Sequence, residues 1–214
     1  MSVEGDAMSK LSEKLLRGKK YNVLLTRLAD RLGADEAAAL WVRAESRLDG
    51  MLVQFSTLPK GEKPQVERFV LPTCAIYFEL ADVFGKNEAF QMMDDYMAEY
   101  SANAAKAFRR IVALPGGRGF FMRVFGKVVA LSFGEKQGYK NVAHERTANR
   151  IVYDVLTCPY QRTFAQLGAP ELCQLFCRND EVCYGDLDGI RFVRTGTLAK
   201  GASCCDFLIE RKRD

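Results

Sequence analysis

The sequence predicts an α+β fold: a helical N-terminal half packed with a small, mostly antiparallel C-terminal sheet and two short helices. Three observations predict it. Up to about residue 135, apolar side chains recur at helical spacing between Gly and Pro stops. After Gly138, β-branched and aromatic residues begin to alternate with polar ones. Within that second stretch, Pro159 and Pro170 each open a short helical pattern, where proline at the first helical position is preset.

In chain order, Ser9 or Ser12 is a cap candidate for a first helical segment. Tyr21 to Leu32 carries Leu24, Leu25, Leu28 and Leu32 on one face before Gly33 stops it. A second helix starts at Asp35, shows Leu40, Trp41, Ala44, Leu48, Leu52 and Phe55 as a stripe, and ends near Pro59. The polar segment Pro59 to Pro64 reads as a loop. A third helix is predicted over Gln65 to Phe84 with Pro72 as a kink or early break. A fourth runs from Lys86 to Val112, before the turn at Pro115-Gly-Gly117. The segment Leu114 to Gly119 is Gly-rich ahead of a helix, which suits an anion but suits a helix-linking turn better. A fifth helix, Arg118 to Phe133, is apolar nearly all round and is expected inside a bundle or at a subunit contact, in preference to a membrane surface.

Tyr139 to Thr157 begins polar and ends in Ile151 to Thr157, where Ile151, Tyr153 and Val155 alternate as in a strand. Helices follow over Pro159 to Leu167 and Pro170 to Tyr184, then strands over Ile190 to Thr195 and Cys204 to Glu210. The expected organisation is a helical region 1–135 and an α+β region 136–214 that carries the active site, the two forming one compact domain.

Composition narrows the function classes. Of 214 residues, 48% are hydrophobic and 27% charged, enough apolar surface for a core and too much for a disordered chain. The net charge of +4, with no basic block beyond Arg211-Lys-Arg213, gives no reason to expect a nucleic-acid partner. No uninterrupted apolar stretch is long enough to span a bilayer, so no membrane partner is expected. Met1 to Asp6 is acidic and polar, unlike a secretion signal, which predicts a cytoplasmic protein. In that reducing setting the seven cysteines are expected as thiols or metal ligands.

Six of those seven lie between residues 158 and 205. On a helix turning about 100° per residue, Cys173, Cys177, Asp180 and Tyr184 share one narrow stripe, opposite Leu172, Leu175 and Phe176. A thiol and a carboxylate one turn apart can act together. In the strand after residue 190, Ile190, Phe192 and Arg194 share a face, so a guanidinium stands on the apolar side and needs an anionic partner. Cys205, Phe207 and Ile209 share one face of the last strand, and Cys204, Asp206 and Leu208 the other. For Cys158, Cys173, Cys183 and Cys204 a small buried side chain is the simplest account. His144, the only histidine, lies in a polar segment. Zinc or iron–sulfur ligation is the rival account of the thiols, but no C-x2-C pair is present, and neither metal nor cofactor is expected.

The series Cys158-Pro-Tyr160, Leu167-Gly-Ala-Pro-Glu171-Leu, Cys177-x-x-Asp180, Phe192-x-Arg194-Thr-Gly-Thr197-Leu-Ala-x-Gly201 and Cys205-Asp206-Phe207 resembles the L-2-amino-thiazoline-4-carboxylic acid hydrolase family over about residues 150–210. The resemblance implies a hydrolase acting on a non-peptide carbon–nitrogen bond, which opens a small cyclic amidine or thiazoline acid to a carbamoyl-cysteine on the route to cysteine. Such chemistry asks for a nucleophile or an activated water, a proton shuttle and a hold on the substrate carboxylate. Cys177 is assigned as nucleophile, Asp180 as general acid/base or activator of water, and Arg194 as a field on the thiol or a clamp on the carboxylate. Cys205 and Asp206 complete the catalytic candidates, with Thr197, Cys158 and Tyr160 expected to bind substrate. The alternative is a non-catalytic module that holds a metal or small ligand with the same cysteines. A homo-oligomer through the fifth helix is also in keeping with the pattern.

Overall fold

A computed structural model describes residues 11–18 and 20–212. Ser9, Met1 to Asp6 and Arg213 lie outside them. The architecture is α+β, with helices in the N-terminal half and an antiparallel sheet in the C-terminal part. Contacts group the chain into two units, one up to Tyr96 and one from Met97 onward.

In the first unit a helical stretch at 11–16 precedes α1 (Asn22–Leu32), α2 (Ala34–Gln54) and α3, which runs from Lys63 to Phe84. The predicted stripe is the core-facing one: Leu40, Trp41, Ala44, Leu48, Leu52 and Phe55 are all buried. Tyr21 stacks on Tyr96 and meets the edge of Trp41. Glu79 is buried yet charged-paired, with Arg43 and Arg47 on its two oxygens at 3.0 and 2.7 Å.

Of the two outcomes expected at Pro72, a kink or an early break, the break does not occur. A π-turn at Val66–Val70 lies immediately upstream of Leu71–Phe84, and the chain stays helical through the proline. Proline has no N–H for the carbonyl four residues back, and its ring crowds that carbonyl. A widened turn absorbs the misfit. The carbonyl concerned, that of Arg68, instead accepts from Lys20 Nζ at 3.5 Å, and the ammonium also lies over the rings of Tyr21 and Phe69.

The long helix α4 (Lys86–Val112) has the predicted bounds. In the second unit it is followed by α5 (Gly117–Ser132), β1 (Lys140–Arg146), β2 (Arg150–Thr157), α6 (Pro159–Gln166), α7 (Cys173–Tyr184), β3 (Ile190–Val193) and β4 (Cys205–Arg211). The sheet order is β1-β2-β4-β3, antiparallel throughout. Strand β1 escaped the sequence reading because it is an edge strand exposed along most of its length, so no apolar alternation marks it.

One sheet face is apolar. Register pairs Tyr153 with Phe207 and Phe192 with Ile209. The first pair stacks with centroids 4.9 Å apart. Tyr184 of α7 fills the space above, against Phe108, Phe121, Phe125 and Phe192 at 5.2–6.2 Å. Such ring clusters add to the area they bury, and they seat α7 on the sheet. Helix α5 contributes Phe121, Met122 and Phe125 to this core but is not enclosed all round, so of its two expected places, a bundle interior or a subunit contact, the first does not hold. Its other side leaves Phe120, Val124, Val128 and Leu131 exposed.

Candidate active site

Helix α7 divides as its spacing predicts. Phe176 packs on Tyr160 and Phe164 of α6, while Leu172 and Leu175 are buried. Cys173, Cys177, Asp180 and Tyr184 occupy the other stripe, and there the guanidinium of Arg194 meets them. Its side chain is 1% exposed. Nη1 donates to Asp180 Oδ2 at 2.7 Å, and Nη2 donates to the Cys177 carbonyl at 2.7 Å and to Glu181 Oε1 at 2.9 Å. The plane lies over Phe207 and Phe192, at 5.2 and 5.8 Å from their centroids. The alternation that places Arg194 on the apolar face thus comes with the required counter-ions. It also occupies both Nη groups, leaving Nε alone, buried and without a partner.

Burial raises the Asp180 carboxyl to about 6, the neighbouring Arg194 cation opposing that rise only in part. A carboxyl there changes charge near neutral pH, as an acid/base group should.

Three thiols form a chain beside it. Cys173 is within hydrogen-bonding reach of both Cys158 and Cys177. Cys177 is held below the usual thiol range, chiefly by the Cys173 hydrogen bond and further by the positive field of Arg194. Cys158 is likewise lowered, first by Cys173 and then by the N–H groups of Gln161 and Tyr160 at the start of α6. Cys173 is pushed up, since its proton serves both neighbours. One S–H can be donated to one sulfur at a time, so the two lowered thiols compete for it. Cys173 is the small buried side chain that its pattern predicts, and it also joins the other two thiols. Its place on the Cys177–Asp180 stripe was the signal of its role.

Cys205 is close enough to feel Cys177, Cys158 and Arg194, but burial pushes its thiol up to about 11. The Leu198 N–H donates to its sulfur at 3.2 Å. It is therefore a neutral thiol at physiological pH. Tyr139, Tyr153 and Tyr160 surround the group, each raised chiefly by burial. Tyr139 and Tyr153 were legible in the sequence only as core residues.

Asp206 faces away from Cys205 and takes another kind of partner. Its Oδ1 accepts from the N–H groups of Thr195 and Gly196 at 2.9 and 2.6 Å, and Oδ2 from the Thr195 hydroxyl at 2.6 Å. Desolvation pushes its carboxyl up, but these bonds together outweigh it and hold the carboxyl below the usual range. The loop beyond closes on Thr197, whose carbonyl accepts from Lys200 and Ala202 N–H. Gly201 takes φ +84°, which a side chain would strain. Thr197 is 4% exposed, and its hydroxyl has no partner among the described residues. A buried hydroxyl left so is costly unless a ligand meets it.

The remaining candidates fall elsewhere. Cys183 donates to the Ser101 carbonyl at 3.7 Å, and Cys204 is half-buried ahead of β4. His144 pairs with Asp154 at 2.8 Å on the exposed edge of the sheet. Among the described residues no three His, Cys, Asp or Glu side chains converge as metal ligands do.

The sequence model of the L-2-amino-thiazoline-4-carboxylic acid hydrolase family matches residues 65–209. The chain belongs to this family. The match reaches well upstream of the motifs between 150 and 210, into α3, where the helices carry no recognisable signature. No curated protein and no solved structure matches the chain. Among the described residues, no helix is long and apolar enough to cross a membrane.

Proposed function

We propose that the protein hydrolyses a small cyclic amidine or thiazoline carboxylic acid, of which L-2-amino-thiazoline-4-carboxylate is the type, at the site between α7, β3 and β4. The observation that carries the proposal is the Arg194 guanidinium, enclosed and bonded at once to Asp180 and to the Cys177 backbone. It fixes a lowered thiol and a raised carboxyl one helical turn apart.

In this reading the Cys177 thiolate adds to C2 of the ring, and protonated Asp180 gives its proton to the ring atom that departs as the C2 bond breaks. Asp180, now ionised, takes a proton from water. The hydroxide adds to C2 and expels the Cys177 sulfur. One water is consumed, and thiolate and carboxylic acid are restored. In the direct variant, ionised Asp180 activates water without a covalent stage. Arg194 acts through its field and as a brace for Asp180, since its Nη groups already hold protein acceptors. The unpartnered Thr197 hydroxyl and Arg194 Nε are the donors proposed for the substrate carboxylate. Cys205 and Tyr160 are the neighbours proposed to contact the substrate, and Asp206 positions the Thr195–Thr197 segment. A second assignment makes Cys158 the attacking sulfur, favoured by the helix N-terminus that faces it.

The test is turnover of L-2-amino-thiazoline-4-carboxylate and related cyclic amidine acids, followed by mass spectrometry for the gain of one water. Loss in Cys177→Ser and Asp180→Asn supports the covalent route. Full turnover in Cys177→Ser with loss in Cys158→Ser moves the nucleophile to residue 158. Full turnover in Asp180→Asn, or none of these acids opened by the unaltered protein, refutes the site.

A further inference from the structure

Away from the thiols, cations and carboxylates on the second unit sort unevenly. Arg118 pairs with Asp188, Arg150 with Glu145 and Glu210, and Arg191 with Glu210. Arg123, Lys127, Arg146 and Arg211 have no carboxylate partner among the described residues. These four line one cleft of about 420 Å³, between α5 and the β1–β2 turn at 147–149, and no Asp or Glu lines it with them. Four like charges around a shared space repel unless an anion lies among them.

The cleft is built rather than incidental. Arg146 lies across α5 at Gly126, its Nη2 donating to the Gly126 carbonyl at 3.0 Å. A Cβ at 126 would stand 3.2 Å from Ile151 Cδ1, so glycine lets the strand close on the helix, with Arg146 Nη2 in ordinary contact range at 3.8 Å. Two turns earlier on the same face, a Cβ at Gly119 would come into ordinary contact with Arg211 Nη1 at 3.5 Å. Arg211 is itself anchored, its N–H donating to the Asn149 carbonyl at 2.8 Å. The Arg146 guanidinium is thus held in place at the helix, the Arg211 guanidinium reaches the same helix from a backbone anchored to Asn149, and Arg123 and Lys127 stand at the rim.

We propose that this cleft binds a phosphate-bearing ligand with at least two negative charges, a diphosphate or a phosphate monoester. Guanidinium forks suit phosphate oxygens, and the volume is within the range of small-ligand sites. The cleft is separate from the thiol site, and the proposal does not depend on the reaction assigned there. Two sources carry this chemistry: a soluble phosphorylated compound, or a lipid headgroup, for which exposed Phe120, Val124 and Leu131 on the same helix supply an apolar neighbour.

Titration calorimetry with inorganic pyrophosphate at low ionic strength, and co-sedimentation with phosphatidylcholine vesicles with and without phosphatidic acid, test it. The expected result is saturable pyrophosphate binding that weakens with salt and falls about tenfold for each contact removed in Arg123→Gln and Lys127→Gln, both exposed positions. Sedimentation only with phosphatidic acid vesicles, lost in the same variants, assigns the source to a headgroup. Binding to neither probe, or binding undiminished in the double variant, overturns the proposal. Ring-opening turnover in that double variant stays at the unaltered level, which separates this result from any failure at Cys177.

Discussion

Replacing Cys173 by Ala removes the one proton donor that Cys158 and Cys177 share. A hydrogen bond to a charged acceptor contributes roughly 1.5–3 kcal/mol, and a weak S–H donor belongs at the low end. At about 1.4 kcal/mol per pKa unit, losing about 1.5 kcal/mol raises the thiol by about one unit. Arg194 still acts on Cys177, so the rise is bounded. The thiolate fraction at a pH below the midpoint should then fall, by about tenfold at most. The assay is iodoacetamide labelling of each cysteine across a pH series, read by peptide mass spectrometry, with the midpoint and not the rate as the readout. Cys173→Ser keeps a hydroxyl donor and should keep both midpoints near their original values. The buried truncation itself costs on the order of 1 kcal/mol, checked by denaturant unfolding. Unchanged midpoints at both Cys158 and Cys177 in Cys173→Ala would refute the shared-proton reading.

Three further outcomes are expected. With Asp180 near 6, the covalent route, which starts from the protonated acid, loses kcat/KM as pH rises through that value, whereas the direct route gains it; Asp180→Asn removes the inflection in either case. Thr197→Val deletes a buried hydroxyl that has no partner, so the melting temperature should hold or rise by a degree or more while KM for the carboxylate substrate increases about tenfold. Asp206→Asn weakens the grip on Thr195 and Gly196 and should cost about 1–2 kcal/mol at neutral pH. Because folding lowers the Asp206 pKa, its stabilisation is present above the unfolded value of about 4 and is lost as pH falls below it. Acid-unfolding curves of Asp206→Asn and the unaltered protein should therefore converge at low pH.

Helical elements were legible wherever one stripe had to be buried, as from Asp35 to Phe55, and the bounds of α4 follow from the Gly85 and Pro115 stops. Strand β1 was not, because an exposed edge leaves no apolar alternation. For helix α5 the composition leaves two places open, a bundle interior or a subunit contact, because its apolar residues exceed what one core face of this chain covers. In the site, the helical period brought Cys177 and Asp180 to one face, and the strand period put Arg194 on the apolar side. Neither period could reveal that both Nη groups would be used by the protein. That Asp206 serves the 195–196 backbone follows from strand register, which sets which loop N–H groups a β4 side chain meets. Periodicity within one element carries no such information.

Lys20 carries a consequence of its own. Lodged at the carbonyl that Pro72 forsakes, its ammonium is desolvated enough to bring its pKa to about 8, well under the usual lysine value. Protonation is therefore a standing penalty on the folded first unit below that pH, relieved between about 8 and the free lysine value near 10.4. Neutral amine can still donate to Arg68, so the plug survives the loss of its charge. Over that interval the folded first unit gains stability from this position as the solution becomes mildly alkaline.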